Sequence, residues 1–409
     1  MSETAGSGTP APHSEAGAGY ESSAPTRDRG ELALALTGGG ARGAYQVGLL
    51  RWMARNYPDL QIPILTGVSA GAINCAHLAQ HQGTFTQAVE ELAALWSELV
   101  PERIFRVDLA SLLPNLGRWG LRLTSGGAGG ERARGLVDTA PLRRLLDEAL
   151  PSVGGELTGI QANLERGRLK AIAIVTTDYS TAQTVVWVEG REIGTWERPQ
   201  RVSRTCRIRV DHVMASAALP LFFPAVQIGS QWYGDGGIRL AAPLSPALHL
   251  GARKILAVSP RYDRTRREAD TPEVRGYPPP AQVLGVLYNA IFLDLLDQDV
   301  LRMEKMNQLL RKLPEEKRDG MRVVDLMVMR PSQDLARIAA EYEPRLPRAF
   351  RLLTRGLGTR ETSSPDVLSL LMFQDDYVKR LIALGEQDAE NRAAELDRFI
   401  TRPPEQPPE

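Results

Sequence analysis

Cysteine is scarce in this chain, because Cys75 and Cys206 are the only two among 409 residues. Two cysteines cannot form a disulfide framework, so the composition predicts reduced thiols and a reducing compartment. A basic start followed by an apolar stretch is also missing at the N-terminus, so no secretory signal is predicted. Together these features predict a cytoplasmic protein.

Neither sign of charge is in excess, because 49 Lys and Arg residues balance 49 Asp and Glu residues. Without a global basic field, nucleic acid is not expected as a partner. A run of about 18 apolar residues is also lacking, so no membrane-spanning helix is predicted. The most apolar stretch, residues 283–296, is broken by Asn289 and Asp294. With 43% hydrophobic and 24% charged residues, the composition is typical of a soluble globular protein.

Strand-like apolar runs alternate with helix-like periodic segments over residues 30–331, which predicts an α/β domain with a mostly parallel sheet. A helical extension is expected over 332–401, and disordered tails are expected at 1–29 and 402–409. Strands are predicted at 31–37, 62–66, 169–178, 183–189, 253–259 and 322–331, and a strand followed by a turn at 231–238. Helices are predicted at 44–57, 70–82, 88–99, 137–150, 211–219, 244–250 and 281–313, and a surface loop at 124–135.

The pentapeptide Gly-Val-Ser-Ala-Gly places Ser69 between Gly67 and Gly71. A predicted strand leads into it and a predicted helix leaves it, which is the strand–turn–helix context of a nucleophile elbow. Glycine suits both flanking positions because a side chain there would crowd the turn that exposes the serine. The pattern indicates a nucleophile, but the same pentapeptide also occurs by chance in ordinary tight turns.

A glycine-rich turn, Gly-Gly-Gly-Ala-Arg-Gly at residues 38–43, follows the first predicted strand. It also reads as the G-x-G-x-x-G pattern of dinucleotide-binding proteins, which requires an acidic residue near the end of the second strand. Residues 65–69 contain no carboxylate, which argues against a nucleotide site. The turn is either a simple tight connection or a set of backbone N–H groups that bind an anion or oxyanion. It lies beside Ser69 if the first two strands are neighbours.

Asp235 lies in the turn Gly-Asp-Gly-Gly at 234–237. On its own, an aspartate between glycines is usually a turn former. A nucleophilic serine needs a base, however, and Asp235 is a candidate for that role. Ser69, Asp235 and His249 also follow the chain order of an α/β-hydrolase triad, but His249 lies in a helix-like run and not at a loop tip.

His77 and His81 are four residues apart on one face of a predicted helix, a spacing that can suit a metal ion. No third ligand cluster accompanies them, so no metal site is predicted.

Three segments together, 36–48, 66–74 and 234–237, resemble the patatin-like phospholipase family. They match, in order, the family's G-G-G-x-R/K-G oxyanion loop, its G-x-S-x-G elbow and its D-G-A/G base motif. Further similar segments occur at 138–146, 174–183 and 214–226, and the resemblance covers residues 31–260.

The resemblance implies a three-layer α/β/α sandwich with a mostly parallel central sheet and extra C-terminal helices. It implies a catalytic dyad with Ser69 as nucleophile and Asp235 as base. A carboxylate base with an ordinary pKa of about 4 leaves no histidine-like limb between pH 6 and 7 in kcat/KM, whereas an Asp with a shifted pKa mimics that limb. The implied oxyanion loop consists of Gly38, Gly39, Gly40, Ala41, Arg42 and Gly43. The turn after the implied base consists of Gly236 and Gly237. Arg42 is expected to steady its loop, with direct phosphate contact as the weaker alternative.

The implied activity is hydrolysis of lipid acyl esters, with phospholipids, lysophospholipids or other acyl esters as substrates and no metal or organic cofactor. Two alternatives stay open. An acyltransferase would use the same dyad with another acceptor in place of water. A docking protein would use the helices after residue 280 as a partner-binding or peripheral membrane surface.

Overall fold

The fold was taken from a computed structural model, which describes residues 32–106, 117, 135–274, 276–292, 294–356, 358–362 and 364–403. The predicted tail at 1–29, residues 404–409 and most of the predicted loop at 124–135 lie outside these ranges.

Ten strands in the described part of the chain join into one sheet. They are β1 (Leu32–Leu36), β2 (Ile64–Val68), β3 (Ala171–Asp178), β4 (Gln183–Gly190), β5 (Glu197–Arg198), β6 (Arg201–Thr205), β7 (Val226–Ile228), β8 (Gln231–Asp235), β9 (Lys254–Val258) and β10 (Asp325–Met329). The main path of the sheet runs β10-β9-β1-β2-β3-β4-β6-β5, and β8 pairs with both β3 and β7.

The α-helices of the described residues are α1 (Gly43–Asn56), α2 (Ala70–Gln80), α3 (Phe85–Ser97), α4 (Pro101–Ile104), α5 (Ala140–Ala149), α6 (Thr158–Glu165), α7 (Val210–Ser216), α8 (Ser245–His249), α9 (Arg266–Ala269), α10 (Pro280–Phe292), α11 (Asp294–Leu310), α12 (Leu335–Tyr342), α13 (Arg348–Gly356), α14 (Asp366–Leu371), α15 (Asp375–Asn391) and α16 (Ala393–Thr401). None of them has the length and apolar character needed to cross a bilayer.

The centre of the sheet is parallel, because β10, β9, β1, β2 and β3 all pair in the same direction. Both faces of β1 are buried: Leu34 and Leu36 belong to one core cluster, and Ala33 and Ala35 belong to the other. A strand that is covered on both sides reads as a continuous apolar run, as residues 32–36 do. The predicted fold class, a mostly parallel sheet between helical layers with extra C-terminal helices, is confirmed.

The sequence patterns did not predict the polar edge of the sheet. Strands β5 and β6 read Glu-Arg and Arg-Val-Ser-Arg-Thr, and most of their residues are at least partly exposed. Such segments lack the apolar alternation that identifies a half-buried strand. Helix α6 and strand β7 were also missed, and the helix predicted over 281–313 is described as α10 and α11.

The C-terminal helices pack directly on the sheet-flanking layer. An added Cβ at Gly48 of α1 would lie 2.0 Å from the backbone oxygen of Ile382 in α15, so these helices meet backbone to backbone. Close approach of this kind requires glycine at the contact. The predicted domain boundary at 331/332 stays a prediction.

Candidate functional site

Ser69 occupies a strained turn between β2 and α2. Its backbone has φ 55° and ψ −127°, a conformation that non-glycine residues rarely adopt. Side chains at the two flanking positions would clash: an added Cβ would lie 2.5 Å from the Gly71 oxygen at Gly67, and 2.2 Å from the Leu36 oxygen at Gly71. The turn that the sequence predicted is therefore present, and both glycines are required by close backbone packing.

A second serine, Ser216 at the end of α7, is hydrogen-bonded to the backbone of this turn. The Ser69 backbone N–H donates to Ser216 Oγ at 2.9 Å, and Ser216 Oγ donates to the Val175 oxygen at 2.7 Å. Ser216 is fully buried. The sequence analysis gave Ser216 no role, because it lies 147 positions away from Ser69, although the similar segment 214–226 contains it.

The glycine loop lies beside Ser69 because β1 and β2 are parallel neighbours, with Leu36 opposite Gly67. An added Cβ at Gly38 would lie 2.9 Å from Ser69 Cβ and 3.6 Å from Ser69 Oγ. Within the described part of the chain, the backbone N–H groups of Gly38, Gly39 and Gly40 have no hydrogen-bond acceptor. Unpaired N–H groups next to a serine hydroxyl can stabilise negative charge on an oxygen bound there.

The register of β3 brings Asp235 to the same place. Val68, the last residue of β2, lies opposite Val175, and the next residue of β3, Thr176, lies opposite Asp235 in β8. Strand β8 therefore continues along β3 from the point where β2 ends. Ser69 directly follows Val68, so the sheet itself brings the two predicted site residues together.

Asp235 is fully buried, and its two carboxylate oxygens differ. Oδ1 accepts a hydrogen bond from the Gly237 N–H at 2.8 Å, whereas Oδ2 has no partner of ordinary geometry among the described residues. Burial raises the pKa of Asp235 to about 7, against smaller lowering effects of the Ser69 hydroxyl and the Gly237 amide. The Ser69 hydroxyl is thus close enough to influence the carboxylate, although their contact falls short of a well-aligned hydrogen bond. The pKa of Asp235 is therefore the shifted one of the two cases considered from the sequence, and sequence alone does not reveal the burial that causes it.

The buried carboxylate should make stability depend on pH. The pKa of Asp235 is about 7 in the folded chain and 3.8 when exposed, so stability falls as the pH rises from about 4 to about 7. Asp235→Asn removes the charge, so its unfolding free energy should exceed that of the native chain at pH 8 by about 4 kcal/mol, from about 1.4 kcal/mol per pKa unit. Urea unfolding of both proteins at pH 8 and pH 4 measures this difference in unfolding free energy. If the variant exceeds the native chain by the same amount at both pH values, the burial argument is contradicted.

His249 does not join these groups. Its ring stacks on Trp196, with ring centroids 4.5 Å apart and an interplanar angle of 13°, and it is not a hydrogen-bond partner of Asp235. Burial and the nearby Arg198 and Arg201 lower the pKa of His249. The Ser–Asp–His arrangement that the chain order allowed is therefore not assembled in this structure.

His77 and His81, whose spacing can suit a metal ion, both contact neighbouring protein groups. His77 Nε2 lies 3.0 Å from the Ala88 backbone oxygen, and His81 Nε2 lies 3.1 Å from a Glu91 carboxylate oxygen.

Arg42 is buried, and its side chain reaches residues of α14. Its Nε donates to Ser369 Oγ at 2.6 Å, and its terminal nitrogen donates to Asp366 Oδ1 at 2.5 Å and to the Asp366 backbone oxygen at 3.2 Å. This geometry favours the expected role of Arg42 in steadying the loop over direct contact with a substrate phosphate.

An apolar pocket opens next to Ser69 and Gly40. Its walls come from α2, α3, α4, α5, the segment after α7, and α14, and include Leu99, Ile104, Leu142, Leu146, Phe223 and Leu371. A pocket with almost no polar lining suits a hydrocarbon chain. No single motif of the sequence identified it, because its residues come from many separate elements.

Comparison with family models gives one match, to the patatin-like phospholipase family, over residues 34–248. This match covers more than half of the chain. The chain belongs to the patatin-like phospholipase family. Members of this family are lipid acyl hydrolases, and the expected family assignment is confirmed. Ser69, the glycine loop and Asp235 all lie within the matched range, whereas α9 to α16 lie beyond it.

Similar solved structures include human GIVD cytosolic phospholipase A2, at 12% identity and a TM-score of 0.45, covering 91% of this chain and 60% of that chain. VipD from Legionella pneumophila matches at 11% identity and a TM-score of 0.35, covering 87% of this chain and 67% of that chain. The ExoU–SpcU complex of the Pseudomonas aeruginosa type III secretion system matches at 17% identity and a TM-score of 0.27, covering 92% and 79%. All three similarities are distant, so the assignment of this chain to the patatin-like phospholipase family rests on the family model. A comparison with curated proteins finds no significant match.

Proposed function

We propose that the chain is a lipid acyl hydrolase of the phospholipase A or lysophospholipase type, which uses a Ser69–Asp235 dyad and an oxyanion hole in the glycine loop. The observation that carries this proposal is the placement of Ser69 between a buried carboxylate and three unpaired backbone N–H groups. Acyl transfer at a serine requires a base and oxyanion donors, and these groups are suited to both roles.

In the first half of the reaction, Ser69 Oγ attacks the carbonyl carbon of the ester while Asp235 accepts the hydroxyl proton. The carbonyl oxygen becomes an oxyanion, which the N–H groups of Gly38, Gly39 and Gly40 stabilise. Collapse of this intermediate breaks the ester bond, and Asp235 returns the proton to the leaving alcohol. The product on the protein is an acyl ester of Ser69.

In the second half, water replaces the alcohol. Asp235 takes a proton from water as its oxygen attacks the acyl carbon, and the same N–H groups hold the second oxyanion. Ser69 leaves with that proton and the fatty acid is released. An ionised Asp235 is needed at both steps, and its pKa of about 7 suits a base that works near neutral pH.

The apolar pocket supports an acyl chain as the part of the substrate that is bound. Its lining offers few polar groups, so binding comes from removal of hydrocarbon from water, about 25 cal/mol per Å². Phospholipids and lysophospholipids both present such a chain next to an ester carbonyl.

Peripheral contact with a lipid surface is part of the proposal. Helix α10 exposes Val283, Val286 and Leu287 at 47%, 59% and 51% of their surface, and Leu221, between two pocket residues, is 58% exposed. Apolar side chains of this kind can enter the boundary of a bilayer. The free cysteines Cys75 and Cys206 are in keeping with a cytoplasmic location.

The proposal is tested by incubating the purified protein with phospholipids, lysophospholipids and triacylglycerols and identifying released fatty acids by mass. Release from at least one phospholipid or lysophospholipid is expected, with Ser69→Ala as the inactive control. Added acceptor alcohols separate hydrolysis from acyl transfer: an acyl-alcohol product with no free acid would overturn the hydrolase assignment. Equal release by native protein and Ser69→Ala would overturn the site.

A further inference from the structure

Helix α14 contacts the glycine loop in two ways. An added Cβ at Gly40 would lie 2.2 Å from the Leu370 backbone oxygen, so the loop and the helix meet backbone to backbone. In addition, Arg42 reaches from the loop to Ser369 and Asp366. Helix α14 lies more than 100 residues beyond position 248, where the match to the family model ends.

The Arg42–Asp366 pair is largely buried, with side-chain exposures of 4% and 12%. A guanidinium in such a place needs a partner, because an uncompensated buried charge is strongly unfavourable. Asp366 supplies both a side-chain oxygen and its backbone oxygen to Arg42. Its other carboxylate oxygen accepts a hydrogen bond from Asn289 Nδ2 at 2.7 Å, so α10 fixes the orientation of the carboxylate.

Fixing the Arg42 side chain also restrains the proposed oxyanion hole, because Arg42 is only two residues from Gly40. The Arg42 backbone N–H donates to the Gly39 oxygen at 3.0 Å, which ties the position of the Arg42 backbone to the loop itself. A side chain that is held at its far end by Asp366 and Ser369 therefore limits the movement of residues 38–40.

We propose that Asp366 is a positioning residue of this hydrolase: it fixes Arg42, and through Arg42 it fixes the N–H groups of the glycine loop. The inference rests on the proposed function, because the loop geometry matters to catalysis only if the loop holds the oxyanion. Leu370, Leu371 and Phe373 of the same segment line the apolar pocket, so this C-terminal segment completes both the loop and the pocket.

Asp366→Asn is the main test, because it keeps the size of the side chain and removes its charge. Displaced oxyanion donors weaken the transition state more than they weaken the bound substrate. We expect kcat to fall about 10- to 100-fold, on the scale of misplacements of about 1 Å, while KM changes less than about 3-fold. Steady-state kinetics on the preferred substrate of the native enzyme give both values.

A double variant of Arg42 and Asp366 shows whether Asp366 acts on kcat through Arg42 or independently of it. If Asp366 acts through Arg42, the double variant Arg42→Gln/Asp366→Asn should lose no more than about 3-fold in kcat beyond the worse single variant. Losses that multiply in the double variant would overturn the proposal.

Glu343→Gln is the matched control. Glu343 is another buried carboxylate of the C-terminal helices and accepts hydrogen bonds from Thr354 at 3.0 Å and Thr359 at 2.6 Å, away from the glycine loop. This variant should lose stability in urea but keep its kcat. A fall in kcat equal to that of Asp366→Asn would reduce the effect to general destabilisation and overturn the proposal.

Ser369→Ala covers the case in which Asp366→Asn does not fold. It removes the acceptor of Arg42 Nε and leaves the ion pair, so kcat should fall by about 3- to 10-fold, given the loss of one hydrogen bond to a charged group. If Asp366→Asn folds and keeps the native kcat, the proposal is overturned. If Asp366→Asn does not fold, a folded Ser369→Ala with the native kcat overturns it. The proposed function fails separately, if Ser69→Ala remains active.

Discussion

Ser69→Ala should lower the hydrolysis of its preferred lipid roughly 10⁴-fold or more, because the variant has no oxygen that can form the acyl ester. The cavity walls and the glycine loop are unchanged by the loss of one oxygen atom, so binding of the lipid should be nearly retained. Release of fatty acid, followed by mass, gives the rate.

Ser230→Ala is the control for this loss, because Ser230 lies in the exposed turn between β7 and β8. It should hydrolyse the lipid at the native rate. Activity of Ser69→Ala within about 10-fold of the native rate would mean that the nucleophile lies elsewhere.

Asp235→Asn should lower hydrolysis by several orders of magnitude, because the amide keeps the shape of the side chain but cannot accept a proton. His249→Ala should change the rate little, apart from a packing effect, since its ring stacks on Trp196, whereas the described partner of the Asp235 carboxylate is the Gly237 N–H. The two variants together separate a Ser–Asp dyad from a triad, in which the histidine carries the proton.

The pH profile gives a second test of the same base. The pKa of Asp235 is about 7, so kcat/KM should rise with pH and reach half of its plateau near pH 7. A histidine base would give a similar limb, so the limb must persist in His249→Ala. A folded His249→Ala that is as inactive as Ser69→Ala would contradict the dyad.

Much of the central fold could be predicted from the sequence, because strands that are buried on both faces carry continuous apolar runs. Residues 32–36 and 255–258 are such runs, and both lie within predicted strands. The elbow around Ser69 could be predicted for a different reason: a Cβ added at position 71 would lie 2.2 Å from the Leu36 backbone oxygen, so only glycine fits there. Local constraints of this kind leave a direct trace in the sequence.

Long-range contacts leave no such trace. Ser216 and Asp366 look like ordinary residues of helical segments, and their importance arises from hydrogen bonds to Ser69 and Arg42 across the fold. The pKa of Asp235 could not be predicted either, since it depends on complete burial and not on the neighbouring glycines. The polar edge strands β5 and β6 were missed because they bury few of their side chains.

The most direct measurement for the central claim is the location of the covalent adduct that a fluorophosphonate lipid forms with the native enzyme. After proteolysis, peptide mass spectrometry should place the adduct on Ser69, because the probe reacts with a serine that its base has activated. The Ser69→Ala protein should carry no adduct, and Asp235→Asn should react much more slowly than the native enzyme. An adduct on any other residue, or undiminished labelling of Ser69→Ala, would contradict the account.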